Sequence, residues 1–395
     1  MFILIILIAL QYYVLAEDPA VKMTPIEIIK YWGYEGQNIE VTTADGYKLN
    51  MHRIPQGKHL PKNQTRPVVF LQHGLLSSSA DWVSNLPYQS AGFMFADAGF
   101  DVFMGNVRGN TYSTGHISLN SNSREYWKFS WDEMVKYDLD AMIDKALQIT
   151  GQKYIYYIGH SQGTLIMFSK LSLNTTFSQK IRQFHALAPI GTVGHLKGPL
   201  YEISKLLNHQ EMLLNIILGG KNFMSNKWID NEISRTFCAL PIFRDVCKDI
   251  FILFTGKNSE QLNISRFDVF LGHFPADTSL KNMNHWIQMV NSNKQQMYDY
   301  GSRYLNMKYY GQPRPPIYNI SNVNVATYLH WSKSDYLANS KDVINSLVKK
   351  LKRSSLKGNF EYKDFNHLDF IWGLRAAPEI YNNILLNIKN DIKDN

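Results

Sequence analysis

The sequence predicts an α/β fold: a mostly parallel central sheet flanked by helices and interrupted by a long, largely helical insertion. Three observations carry this. Short apolar runs at 68–72, 101–105, 154–158, 184–188 and 325–331 alternate with helix-compatible stretches, the pattern of a parallel sheet covered on both faces. The pentapeptide Gly159-His160-Ser161-Gln162-Gly163 stands between one such run and a helix-compatible stretch at 164–171, so its serine falls at a strand-to-helix turn. From 194 to 316 the alternation stops, and the chain becomes rich in Phe, Met, Leu and Ile without a clear parallel strand. At 395 residues and 45% hydrophobic, the chain exceeds most compact domains, which agrees with one large domain carrying an insertion.

Element by element, residues 24–32 have helical spacing. Segments 38–43 and 47–53 flank Ala44-Asp45-Gly46, where Asp-Gly predicts a hairpin turn. Residues 68–72, bounded by Pro67 and Gly74, read as the first buried strand, and 93–98 as the end of a helix capped by Gly99. Residues 131–149 form an amphipathic helix closed by Gly151. Inside the insertion, 200–218, 232–254, 265–271 and 279–297 read as helices or loops. Pro313, Pro315 and Pro316 close it. The sheet resumes at 325–331, followed by a helix at 341–351, a strand at 359–362 and a final helix at 378–388.

Residues 1–16 are apolar without a charged side chain and end at Val14-Leu15-Ala16 before Glu17-Asp18, which predicts a cleaved signal peptide too short to span a membrane. The expected organisation is therefore signal peptide 1–16, core 17–193 and 317–395, and insertion 194–316. Acceptor sequons at Asn63, Asn174, Asn263 and Asn319 fit the secretory pathway, with the lysosome lumen or the exterior as destination. The two cysteines, Cys238 and Cys247, are either buried thiols or a short disulfide loop, and the oxidising compartment favours the disulfide. The formal charge of +8 includes late lysines interleaved with polar residues, a solvated face rather than a nucleic-acid stripe.

A serine hydroxyl needs a base to take its proton and an acid to orient that base. In a strand-turn-helix elbow these partners come later in the chain, acid before histidine. The run 325–331 exits through Ser332-Lys333-Ser334 to Asp335, and beyond Asp335 the chain holds a single histidine, His367. Asp364 and Asp369 lie too near His367 to sit on a separate loop, His330 is inside a strand, and His160 takes no catalytic role. An oxyanion needs two backbone donors. Gln162, next to the nucleophile, supplies one, and the first strand exit, His73-Gly74-Leu75-Leu76, supplies the other at Leu75. No metal or organic cofactor is expected.

These stretches closely resemble the acid lipase family of α/β-hydrolases, which includes gastric and lysosomal acid lipases. The resemblance rests on Tyr31-Trp32-Gly33-Tyr34, His73-Gly74-Leu75-Leu76, Gly105-Asn106-Val107-Arg108-Gly109-Asn110, Gly159-His160-Ser161-Gln162-Gly163-Thr164, His285-Trp286 and Asn366-His367-Leu368-Asp369-Phe370. It implies an α/β-hydrolase fold in which the insertion 194–316 is a cap with a mobile lid. It also implies the triad Ser161, Asp335 and His367, oxyanion donors Leu75 and Gln162, and a Cys238–Cys247 disulfide. The implied substrate is a neutral lipid ester, triacylglycerol or sterol ester, met at a lipid-water interface through peripheral contact only. Two departures stand out: a further family cysteine is absent around Phe254-Thr255-Gly256, and Ser332-Lys333-Ser334 stands where glycines are common. The rival readings are an esterase, thioesterase or acyltransferase using the same triad, and a lipid carrier without catalysis.

Overall fold

The computed structural model describes residues 18–62, 64–208, 210, 219–223, 241–257 and 260–394. The expected signal peptide, Asn63 and Cys238 lie outside them. The chain builds one twisted sheet from β1 (Gln37–Thr42), β2 (Tyr47–Ile54), β3 (Val68–Gln72), β4 (Asp101–Gly105), β5 (Gly115–His116), β6 (Ile155–His160), β7 (Ile181–Leu187), β8 (Ala326–Ser332) and β9 (Leu356–Tyr362). Its order is β1-β2-β4-β3-β6-β7-β8-β9, with β5 beside β2. The β1–β2 hairpin and β5 are antiparallel, and every pairing from β4 to β9 is parallel.

Strand burial follows from these places. Every residue of β3, β4 and β6 is buried, as strands with helices on both faces require, whereas the edge strand β1 alternates half-buried with exposed. The parallel register brings the strand exits to one edge: Gln72 pairs with Gly105 and Gly159, Leu187 with His330, and Ser332 with Tyr362. The loops carrying His73, Ser161, Asp335 and His367 therefore all leave from the same side, where ligands of open α/β sheets gather.

Several elements depart from the expectations. The helix predicted over 131–149 is interrupted by a π-helical turn at Met134–Asp138, after which Leu139–Thr150 continues and ends on left-handed Gly151. That turn delivers the fully buried Asp138 carboxylate to Arg108, whose guanidinium also grips Asp45 in the hairpin turn. Similar π turns occupy Ile344–Val348 and Ala376–Tyr381, and β9 begins three residues earlier than predicted. Strand β5 and a helix at Arg303–Tyr310 are additions that the sequence pattern does not reveal.

Between β7 and β8 the described residues form helices Pro199–Leu206, Pro241–Thr255, Phe267–His273, Leu280–Ser292 and Arg303–Tyr310 and contribute no strand to the sheet. They are fastened to the body at several points. The Phe270 ring stacks on Trp372 at 4.7 Å and His285 on Trp131 at 3.9 Å. The Ala276 N–H donates to the Leu76 carbonyl, and Gln295 Nε2 to Ser169 Oγ at 2.9 Å. Among the described residues no helix is long and apolar enough to cross a membrane.

The core holds an unusual number of buried imidazoles. Burial lowers His52 and His73 to about 4 and His285 and His330 to about 3, and pushes His160 and His185 well below their usual range. An unfolded histidine titrates near 6.5, so below that pH the unfolded chain binds protons that the folded chain refuses. Asp81 and Asp132, raised by burial to about 7, act oppositely, because acidification between about 7 and 4 relieves their desolvation. Burial also raises Asp101 and Asp138, so six imidazoles stand against four carboxyls and outweigh them. Thermal unfolding of the full chain at pH 7, 6 and 5 is therefore expected to show Tm falling as pH drops through about 6.5, and a Tm that rises over this interval contradicts the assignment of neutral buried histidines.

Candidate active site

The elbow begins with close packing. At Gly159 a Cβ would stand 2.8 Å from the Gly163 carbonyl carbon; at Gly163 it would enter the Gln72 carbonyl oxygen and lie 2.9 Å from that of His73. Both positions therefore exclude side chains, and the turn they permit holds Ser161 at φ 51°, ψ −116°, a strained conformation for a residue with a Cβ. Its N–H donates to the Leu187 carbonyl, and its own carbonyl accepts from Thr164 and Leu165, which starts the helix Gln162–Leu173. Strand β6 thus hands the serine directly to a helix N-terminus.

The structure brings the three sequence-predicted side chains together. His367 Nε2 lies 2.8 Å from Ser161 Oγ, and His367 Nδ1 lies 2.9 and 3.1 Å from the two Asp335 carboxylate oxygens. Asp335 is fully buried, and its Oδ1 accepts the N–H groups of Leu337 and Ala338 at 2.8 Å each. With Nδ1–H donated to the carboxylate, the Nε2 lone pair faces the serine hydroxyl, the tautomer that general-base chemistry needs. Ser161 and His367 are themselves only 6% and 4% exposed.

On the other side of Ser161, the loop after β3 comes close enough that a Cβ at Gly74 would lie 3.1 Å from Ser161 Cβ. His73 pins this loop: its Nδ1–H donates to the Gly74 carbonyl at 2.8 Å, while Nε2 accepts from the Val107 N–H and the Asn110 amide, each at 3.2 Å. Burial keeps that ring neutral by lowering it to about 4, so the donor and acceptor ends stay fixed. Gln162, the first residue of its helix, carries one of the N–H groups that have no intrahelical acceptor. Gln162 follows the serine directly, and the loop that carries Leu75 approaches it at Gly74.

His160 does not point at Ser161. Its Nε2–H donates to the His367 carbonyl at 2.9 Å, and burial together with the nearby His367 ring keeps it neutral. Asp369 accepts the Asn366 N–H at 2.7 Å and so shapes the histidine loop. His330, as expected, packs within β8, against Tyr362. Among the sequons, Asn174 and Asn319 are exposed, but Asn263 requires a correction: it is buried, and its Nδ2, the atom that would carry a glycan, donates to Asn85 and Gln89 at 3.0 Å each. Cys247 is buried and disulfide-bonded.

Sequence reasoning missed a pair of residues that hold the acid and base loops. The Thr255 carbonyl, at the end of helix Pro241–Thr255, accepts both the Tyr336 N–H at 3.2 Å and the His367 N–H at 3.1 Å. Gly256 bridges to Asp335; a Cβ there would strike the Ser334 carbonyl oxygen and lie 3.1 Å from Asn366 Cβ. The one sequence signal for them is that Phe254-Thr255-Gly256 departs from the family pattern. Replacing Gly256 by Ala must separate these loops or distort them at φ 141°. Because a displacement of about 1 Å can cost ~10²-fold in rate, G256A is expected to lower kcat by tenfold or more on a soluble ester, and an unchanged kcat would show that the two loops are held without it.

Comparison with known proteins agrees with this fold. A family model for the alpha/beta hydrolase fold matches residues 67–374, and one for a partial alpha/beta-hydrolase lipase region matches residues 25–86. Caenorhabditis elegans lipase lipl-1 is 47% identical over 95% of this chain and 93% of its own length. Gastric triacylglycerol lipase of Bos taurus is 43% identical over 96% and 94%. In fold, the chain is similar to a lipase structure from Sulfolobus solfataricus at TM-score 0.54 and 13% identity, covering 90% of this chain and 99% of the other. A monoglyceride lipase from Saccharomyces cerevisiae follows at TM-score 0.52 and 12% identity, covering 89% and 92%. The chain belongs to the acid lipase family of the α/β-hydrolases and is an ester hydrolase of the lipase type.

Proposed function

We propose that the protein hydrolyses the carboxylic esters of neutral lipids, triacylglycerol or sterol ester, through Ser161, His367 and Asp335. The observation that carries this reading is the continuous hydrogen-bonded chain from Ser161 Oγ through His367 to the buried Asp335 carboxylate. Ser161 Oγ attacks the acyl carbonyl while His367 Nε2 takes its proton, forming the bond from oxygen to carbon. Asp335 holds the ring and stabilises the imidazolium. The backbone N–H groups of Leu75 and Gln162 receive the negative charge of the tetrahedral oxygen. His367 then gives the proton to the leaving alcohol. Water repeats the sequence on the acyl-enzyme, releasing the fatty acid and restoring the serine.

Relatives named as lipases, including gastric triacylglycerol lipases, support the choice of substrate class. Residues 194–316 act as the cap over the site, with a lid that meets the lipid surface. Residues 1–16 direct the chain to the secretory pathway, for the lysosome lumen or the exterior. Cys238 pairs with Cys247.

Ser161→Ala is expected to abolish fatty-acid release from emulsified triacylglycerol, and Asp335→Asn to lower kcat by roughly 10⁴-fold with the fold intact. Activity of the parent confined to short soluble esters, or to acyl transfer onto an alcohol, contradicts the lipase reading. Undiminished function of Ser161→Ala in lipid transfer would support a carrier instead. Secretion from an expressing eukaryotic cell is expected to give a chain beginning at Glu17, with glycans removable from Asn63, Asn174 or Asn319 and none on Asn263. Intact-mass and peptide analysis decide this, and a retained Met1 or a glycosylated Asn263 overturns it.

A further inference from the structure

Gln162 is held by its side chain as well as by its place at the start of a helix. The side chain is 2% exposed, and its Oε1 accepts two hydrogen bonds from the insertion, from Trp286 Nε1–H at 2.8 Å and from Asn282 Nδ2–H at 3.0 Å. The amide nitrogen lies 3.6 Å from Met134 Sδ in the body. Asn282 and Trp286 are one turn apart on helix Leu280–Ser292, so a single helix face presents both donors. That helix is anchored next to them: Ser279 Oγ donates to the Phe129 carbonyl and accepts the Asn282 N–H at 2.9 Å, and His285 stacks on Trp131.

The arrangement carries a cost that stability alone does not explain. Asn282 is fully buried, and its own carbonyl oxygen has no hydrogen-bond partner among the described residues. An apolar residue would pack there without that penalty. What Asn282 and Trp286 supply is a fixed Gln162, and through it a fixed direction for the N–H beside Ser161.

We propose that Trp286 and Asn282 are positioning residues for the oxyanion side of the site, holding Gln162 so that its backbone N–H meets the developing negative charge. This rests on the reading of Ser161 as nucleophile and Gln162 as oxyanion donor. It makes transition-state stabilisation depend on the seating of helix Leu280–Ser292: an insertion that lifts away from Gln162 leaves Ser161 and His367 paired but loosens one donor.

The test is a double-mutant cycle in the full chain with Trp286→Phe, Gln162→Met and the pair, measured on a short soluble ester together with the affinity of an alkylboronic acid, which forms a tetrahedral adduct on the serine. Full loss of an oxyanion donor costs about 10² to 10³-fold. A misdirected one is expected to cost less: each single variant should lower kcat by about tenfold with KM little changed, boronic acid affinity should fall by the same factor, and the pair should be no worse than the poorer single. Additive losses, or a lower Tm with kcat and boronic acid affinity intact, overturn the proposal. Should Trp286→Phe fail to fold, Asn282→Ser removes one donor and must lower kcat and boronic acid affinity together; no change in either overturns it equally. A parent that binds no boronic acid, or a Ser161→Ala variant as active as the parent, removes the nucleophile reading itself, an outcome distinct from an additive cycle in a responsive parent.

Discussion

The arrangement depends on one steric constraint, the contact of Gly163 with the carbonyl groups of Gln72 and His73. Only a residue without a Cβ lets the start of helix Gln162–Leu173 press against the end of β3. That contact forces the turn at Ser161 into positive φ, projecting the hydroxyl beyond the sheet edge instead of into a helix. It also brings the loop after β3 and the first turn of the helix together beside Ser161. Strain at a single serine is tolerable because the fully buried β6 that leads to it and the fully buried β3 beside it over-determine it.

Around that point the molecule repeatedly uses neutral, buried hydrogen-bonding groups to fix loops. His73 ties the β3 exit to the β4 exit, His160 ties the elbow to the His367 loop, and the Thr255 carbonyl ties that loop to the Asp335 loop. Burial keeps His73 and His160 uncharged, so their donor and acceptor ends do not change with modest acidification. The insertion takes part in this on two sides, through Thr255 and Gly256 at the acid and base and through Asn282 and Trp286 at Gln162. It is a scaffold for the loops that carry Asp335 and His367 and for Gln162.

Much of this was legible in the sequence because it follows from short-range rules. The pentapeptide, the strand before it and the order of Asp335 and His367 all obey constraints that leave marks within a few residues. The alternation of apolar runs identifies β3, β4, β6, β7 and β8 for the same reason. The π turn at Met134–Asp138 was not legible, because its cause is the distant Arg108 guanidinium. Nor were the partners of Gln162 and the site of Gly256, which depend on how the insertion folds back onto segments distant in sequence. Asn263 shows the same limit: its sequon is local, whereas its burial against Asn85 and Gln89 is not.

The proposed chemistry requires Ser161 to be the nucleophile of an acyl-transfer site. The most direct measurement is rapid mixing of the full chain with a p-nitrophenyl ester or p-nitrophenyl phosphonate, followed by peptide mass analysis. The expected result is a burst of about one p-nitrophenol per active chain and a single covalent adduct on Ser161. The absence of a burst, or an adduct on another side chain with Ser161 unmodified, would contradict it.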